Sequence, residues 1–97
     1  MGVIMNIEIN NIKYKLAKNY KEGYEEEVVS SLLTDYFDAF DYVFGDWAYG
    51  KLRLKGFYKS DNKNVTKIND IKNLDKYIKE SCAFDCKYFL LEKKGDK

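Results

Sequence analysis

Seven side chains able to recognise or transform a ligand crowd one short stretch: Asp46, Trp47, Tyr49, Lys51, Arg53, Lys55 and Phe57. The surrounding segment, Asp41 to Tyr58, also holds the chain's one tryptophan, its one arginine and three of its six glycines. Asp46 sits between Gly45 and Gly50, and two readings stand for it. A carboxylate partly desolvated by the Trp47 indole gains proton affinity and suits general-base work. The same carboxylate in a glycine-flanked loop also braces nearby backbone amides. Trp47 and Tyr49 either form an aromatic lip for a ligand or fold inward to close the core. Arg53, with Lys51 and Lys55 beside it, can grip a phosphate or carboxylate through its planar fork, with Phe57 or Tyr49 as a stacking surface. A salt bridge from Arg53 to Asp46 or Asp41 across a hairpin is the structural alternative.

Elsewhere the chemistry is sparse. There is no histidine, so no side chain has an unperturbed pKa near neutrality, and no nucleophile–base pair or phosphate-binding glycine loop can be assembled. Cys82 and Cys86 are two ligands short of a structural zinc site and miss the two-residue gap of redox motifs. Their spacing places them on one face of a continuing helix as small packed thiols, and a cytoplasmic setting disfavours a disulfide. No metal, cofactor or catalytic residue is expected, and the chain reads as a non-enzyme.

The elements that must position these residues follow from periodicity. Met5 to Ile9 and Ile12 to Leu16 alternate around Asn10-Asn11, a pair that tolerates positive φ and suits a two-residue hairpin turn. The expected register sets Ile9 against Ile12, Ile7 against Tyr14, Met5 against Leu16 and Glu8 against Lys13. After a polar turn at 19–23, apolar residues at helical spacing predict a helix from Tyr24 to about Asp38. Its inward face would carry Val28, Val29, Leu32, Leu33, Tyr36 and Phe37, its outward face Glu26, Ser30, Thr34 and Asp38. Tyr42 to Phe44 predicts a strand and Gly45 to Gly50 a loop. Lys51 to Tyr58 predicts a second strand, with Leu52, Leu54 and Tyr58 on one side and Lys51, Arg53, Lys55 and Phe57 on the other. A turn at 60–63, a weak strand at 64–68 and a short helix capped by Asn73 come next, the helix burying Leu74, Tyr77 and Ile78. Lys87 to Leu91 lacks alternation, as a strand covered on both faces does, and 92–97 reads as a frayed tail. The fold class is α+β: one domain over 1–97, a mostly antiparallel sheet of two hairpins and a C-terminal strand, covered by one longer and one short helix.

Composition bounds the rest. Ninety-seven residues with 45% hydrophobic content support a single core. No apolar run reaches the roughly 18 residues of a membrane span, and no secretory leader is apparent, so the expected location is the cytoplasm, away from membranes. The net charge of +1 hides an asymmetry: residues 1–50 carry four lysines against nine acids, residues 51–97 thirteen bases against seven acids. A near-zero total argues against a general polyanion binder.

The run Asp41-Tyr-Val-Phe-Gly-Asp-Trp-Ala-Tyr-Gly-Lys-Leu-Arg-Leu-Lys-Gly-Phe57, with Cys82-Ala-Phe-Asp-Cys-Lys-Tyr-Phe89 downstream, resembles the YutD-like family of small bacterial proteins. The resemblance extends from the first hairpin to the last strand. It implies a single-domain cytoplasmic protein of low-GC Gram-positive bacteria, with no established activity or catalytic residues to carry across. Ala48 stands where that family often has glycine. Three functions are then in view. The leading one is a non-enzymatic module that binds a protein partner through the Trp47–Tyr49 loop and the Lys51, Arg53, Lys55, Phe57 face. The alternative is RNA or single-stranded nucleic acid binding by that basic and aromatic face. The third is an enzyme using Asp46.

Overall fold

The N-terminal hairpin forms around two asparagines in the left-handed conformation, Asn10 at φ 55° and Asn11 at φ 67°. Strands β1 (Met5–Ile9) and β2 (Ile12–Tyr20) pair in the expected register, Ile9 with Ile12, Ile7 with Tyr14 and Glu8 with Lys13. This computed structural model describes residues 5–81 and 86–94. Strand β2 runs on to Tyr20 and ends in a second tight turn, where Lys21 and Glu22 are both left-handed (φ 54° and 56°) and the Gly23 N–H donates to the Tyr20 carbonyl at 3.2 Å.

Helix α1 spans Glu26–Leu32, shorter than the predicted 24–38. Its interior of Val28, Val29, Ser30 and Ser31 is poor in strong helix formers. Leu33 leaves the helical region with ψ 88° and Thr34 is extended, before a 3-10 turn at Asp35–Ala39. The Leu33 carbonyl, freed by the break, accepts from the Asn10 side chain at 2.6 Å. Val29 and Leu33 are buried as expected, but Leu32 (42% exposed) and Tyr36 (69%) face water. Past the break, Phe40 lies over Gly56, whose missing Cβ would stand 2.3 Å from the ring, and against Tyr58 at 4.8 Å between centroids.

Strands β3 (Tyr42–Ala48), β4 (Lys51–Phe57) and β5 (Tyr88–Lys93) complete an antiparallel sheet in the order β1-β2-β5-β3-β4. The apolar run from Tyr88 thus occupies the centre. On one face Phe89 and Leu91 join Tyr14, Leu16, Val29, Leu33 and Val43; on the other Leu90 joins Phe44, Phe57 and Leu74. Phe44, Phe57 and Phe89 are each almost wholly withdrawn from water, worth about 2–3 kcal/mol apiece in hydrophobic terms. The sheet continues beyond the predicted strand, since Lys94 N–H donates to the Lys13 carbonyl at 2.9 Å. Glu92 and Lys93 are therefore part of the sheet and not of a tail, with Lys94 bonded to its end; 95–97 lie outside the described residues.

The weak strand predicted at 64–68 is absent. Residues 59–70 follow turns closed by asparagine side chains: Asn62 Oδ1 accepts from Asn64 N–H (2.8 Å) and Asn69 Oδ1 from Thr66 N–H (2.6 Å). Such local bonds replace the ladder a strand would need. A 3-10 turn, Ile71–Asn73, leads into α2 (Leu74–Ser81). Asp70, not Asn73, caps this unit, accepting from Lys72 N–H (3.1 Å) and the Ser60 hydroxyl (2.5 Å). The Ser60 bond, helped by the Lys72 amide and charge, holds the Asp70 carboxyl below the ordinary aspartate value. Leu74 is buried and Tyr77 and Ile78 half-buried, as expected. Because α2 ends at Ser81, Cys86 stands outside any helix; it is half-buried and disulfide-bonded, which corrects the expectation of two plain packed thiols. Cys82 lies outside the described residues.

Candidate functional site

The seven singled-out residues belong to one hairpin, but not to a loop at 45–50. Strands β3 and β4 pair continuously from Tyr42↔Phe57 to Ala48↔Lys51, and Tyr49-Gly50 (φ 56° and 76°) makes the two-residue turn. Gly45 is a strand residue. A Cβ there would lie 2.3 Å from the Phe89 ring, so its role is to admit that ring to the core.

This pairing sets Asp46 directly opposite Arg53. The guanidinium meets the carboxylate side-on, Nη2 donating to Oδ2 at 2.5 Å and Nε to Oδ1 at 3.2 Å. The bidentate geometry is the strong form of this pair. Asp46 is only 2% exposed, while the Arg53 side chain keeps 50% of its surface in water. The hydrogen bond to Asp46, and then its charge, raise the Arg53 pKa above its ordinary value. Asp46 is thus neither a brace for loop amides nor an acid poised against the indole. It is the buried half of a cross-strand ion pair.

Trp47, on the opposite face of β3, neither closes the core nor forms a lip. It is half-buried; its Nε1–H donates to the Gly23 carbonyl (2.7 Å), and the Lys87 ammonium lies 4.8 Å from its ring centre. The indole therefore ties the central hairpin to the turn before α1. Lys87 reaches on to Glu25 at 3.8 Å.

The predicted outward row on β4 divides in two. Lys51 is exposed and Arg53 half-exposed, but Phe57 is fully buried beneath α2, edge-on to Tyr77 at 5.7 Å. Lys55 is half-buried with its ammonium over the Phe57 (5.2 Å) and Tyr77 (5.5 Å) rings. The alternation was correct; the short helix covers the end of the row. Phe57 accordingly offers no stacking surface to a base, and the aromatic presented to solvent is Tyr49, 104% exposed. The partners Gly23, Lys87 and Tyr88 carry no local signal of these contacts, although Lys87-Tyr88 lies within the Cys82–Phe89 run. Tyr88 pairs with Asp46 across β3–β5 and stacks on Tyr20 at 5.0 Å.

Among the described residues no cluster of three or more metal-ligating acids or cysteines occurs, and no helix is long and apolar enough to cross a membrane.

With this geometry in view, comparison with known proteins is direct. The model of the family described as putative antitoxin YutD-like matches residues 8–92. A Bacillus subtilis (strain 168) protein described as putative antitoxin YutD is 42% identical over 87 residues, 90% of this chain and 96% of that one. The solution NMR structure of protein yutD from B. subtilis matches with a TM-score of 0.77 and 41% identity, over 93% of this chain and 82% of that chain. The chain belongs to the YutD-like family.

Proposed function

We propose that this YutD-like protein is a non-enzymatic module that docks a protein partner with the tip of its central hairpin, Tyr49 and Lys51 making the contact. Arg53, Asp46 and Trp47 hold the tip in shape, and Lys55 and Phe57 anchor its base under α2. One observation carries this reading. Tyr49 occupies a left-handed turn position (φ 56°) that favours asparagine or glycine, yet its ring is fully in water and packs on nothing that would repay the strain. A residue that costs the fold stability at such a place is explained by what it touches in a complex, and aromatic side chains are the common anchors of interfaces. The name of the B. subtilis relative, a putative antitoxin, fits a role exercised through a partner.

The test is Tyr49→Asn, which gives the turn a residue it favours. The variant should unfold at the same or higher temperature while losing proteins captured from host extract by the wild type. Glu8→Gln on the distant hairpin should retain them. If Tyr49→Asn and Lys51→Glu capture the same proteins as wild type, the reading is wrong.

A further inference from the structure

Strand β4 is an edge of the sheet, and the bonding of its neighbours fixes which of its backbone groups look outward. Trp47 N–H donates to the Lys87 carbonyl on the β5 side at 3.0 Å, so Phe44, Asp46 and Ala48 turn their backbone groups to β4. Lys55, Arg53 and Lys51 answer them. The N–H and C=O groups of Leu52, Leu54 and Gly56 therefore point away from the sheet. Tyr58, next in that series, bears out the direction: its N–H donates to the Asn69 carbonyl (2.7 Å) and its carbonyl accepts from Ile71 N–H (2.9 Å). The chain at 69–71 thus lies along β4 for a single parallel bridge, Tyr58↔Asp70, and goes no further. Leu52 and Leu54 have no backbone partner on that side among the described residues.

The two sides of this edge differ in chemistry. On the α1 side Leu52 and Leu54 are half-buried, and a groove lined by Tyr36, Phe37, Phe40 and Ile68 opens beside Leu54. Ile68 keeps 76% of its surface in water, and Tyr36 rests on Phe37 and Phe40 with most of its own surface outside. On the α2 side the edge is basic. Lys51, Arg53 and Lys55 share that face, and Lys67 and Lys76 stand around Ile68. Asp46 answers Arg53, while Lys51 and Lys55 make no ion pair among the described residues.

We propose that this edge receives an extended segment of a partner protein in which acidic and apolar residues alternate, added to the sheet as a further strand. The outward N–H and C=O groups of Leu52 and Leu54 hold its backbone, its apolar side chains enter the groove beside Leu54, and its carboxylates lie along Lys51 and Lys55. Successive residues of a strand face opposite sides, so a strand paired here must present one kind of side chain to the groove and another to the lysines. A second copy of the chain does not fit. Two β4 strands paired antiparallel would set these cations against one another. The assignment rests on the partner-docking role proposed above and adds the chemistry of the docking segment.

The probe is a fluorescein-labelled peptide of about eight residues alternating glutamate and valine, titrated with the whole chain at neutral pH and followed by anisotropy. Saturable binding is expected. Amide hydrogen exchange should show the Leu52 and Leu54 N–H groups slowed in the complex, with Arg53 N–H, already in the ladder, little changed. N-methylating one or the other set of alternate peptide residues gives two isomers, and the one with methyls toward β4 should bind about tenfold more weakly than the other. Ile68→Ser, at a site already in water, should weaken binding by about three- to tenfold. The proposal is overturned by an absence of binding, by equal affinity of the two methylated isomers, or by equal binding of a peptide with lysine in place of glutamate. Protection of the Leu52 and Leu54 amides that rises with protein concentration in the absence of peptide also overturns it, giving the edge to a second copy. Tyr49→Asn separates the two assignments: lost capture of host proteins without any peptide binding overturns the edge alone, and peptide binding with capture unaffected overturns the tip alone.

Discussion

The two hairpins are built on the same device and differ in what occupies it. Both turn through two left-handed residues, Asn10-Asn11 in one and Tyr49-Gly50 in the other. In the first, the residue types match the backbone they adopt, and strict alternation on either side sets the register. In the second, a glycine that looks like punctuation, Gly45, lies mid-strand, while a tyrosine makes the turn. The contrast teaches that glycine answers two different demands. At Gly50 the demand is φ of +76° with nothing within 4 Å of a would-be Cβ; at Gly45 it is space for a ring from another strand.

The sharpest way to break the comparison is Gly45→Ala. Its Cβ would meet the Phe89 ring, which is fully buried and held edge-on by Tyr24 at 5.5 Å, so the ring has no room to swing. Chemical denaturation should show a loss of about 3 kcal/mol or more, against about 1 kcal/mol for Gly50→Ala, where only the left-handed backbone is disfavoured. Equal losses would refute the packing explanation of Gly45. Next in size is Arg53→Ala, which strands a buried carboxylate and should cost about 2–3 kcal/mol; the lower end reflects water reaching the pair from the half-exposed arginine side. The opposite-charge neighbours at the same kind of site in the first hairpin, Glu8 and Lys13, are both exposed, and Glu8→Gln should change stability by at most about 0.5 kcal/mol. The turn exchanges lie between these two. Asn11→Ala should cost about 1 kcal/mol, whereas Tyr49→Asn should gain about 0.5–1 kcal/mol, opposite signs at two left-handed turn positions.

The smallest effect at neutral pH concerns the tyrosine behind Phe89. The Tyr24 hydroxyl is buried with no hydrogen-bond partner among the described residues. Burial first, and the Glu26 charge second, push its pKa up to about 12 from the ordinary 10.0. The unfolded chain releases this proton first, so stability is intact below pH 10 and falls as pH rises from about 10 to 12. Tyr24→Phe should match or slightly exceed wild-type stability at pH 7 and remove that alkaline fall. An unchanged alkaline profile in the variant would assign the fall to other groups.

What the sequence revealed divides along the same line. Local patterns were readable: the Asn-Asn turn and its register, the alternation of β4, the two-sided burial of the last strand and the inward face of the short helix. Demands arising from distant residues were not. Gly45 could not be placed without knowing that Phe89 crosses it, nor Phe57 without knowing that Leu74 and Tyr77 lie above it. The longer helix failed for another reason, since Val29 and Leu33 follow helical spacing while the intervening serines give it little intrinsic support. At the site, the Asp46–Arg53 pair was among the alternatives the sequence allowed, but the register that sets the two residues opposite each other was hidden behind the loop expected at 45–50. Trp47's bond to Gly23 was hidden, as nothing local links those positions.

The position of β5 sets the order in which this molecule can assemble. It separates β2 from β3 in the sheet, yet in the chain it follows both hairpins. During synthesis each hairpin can therefore close as soon as its own residues emerge, but the two are joined into one sheet only when Tyr88–Lys93 inserts between them. Until then the inner edges of β2 and β3 are unpaired strands of the kind that recruit other chains. Pairing over so long a separation in the chain is the slow kind, which makes β5 the strand on whose arrival the closure of the sheet depends.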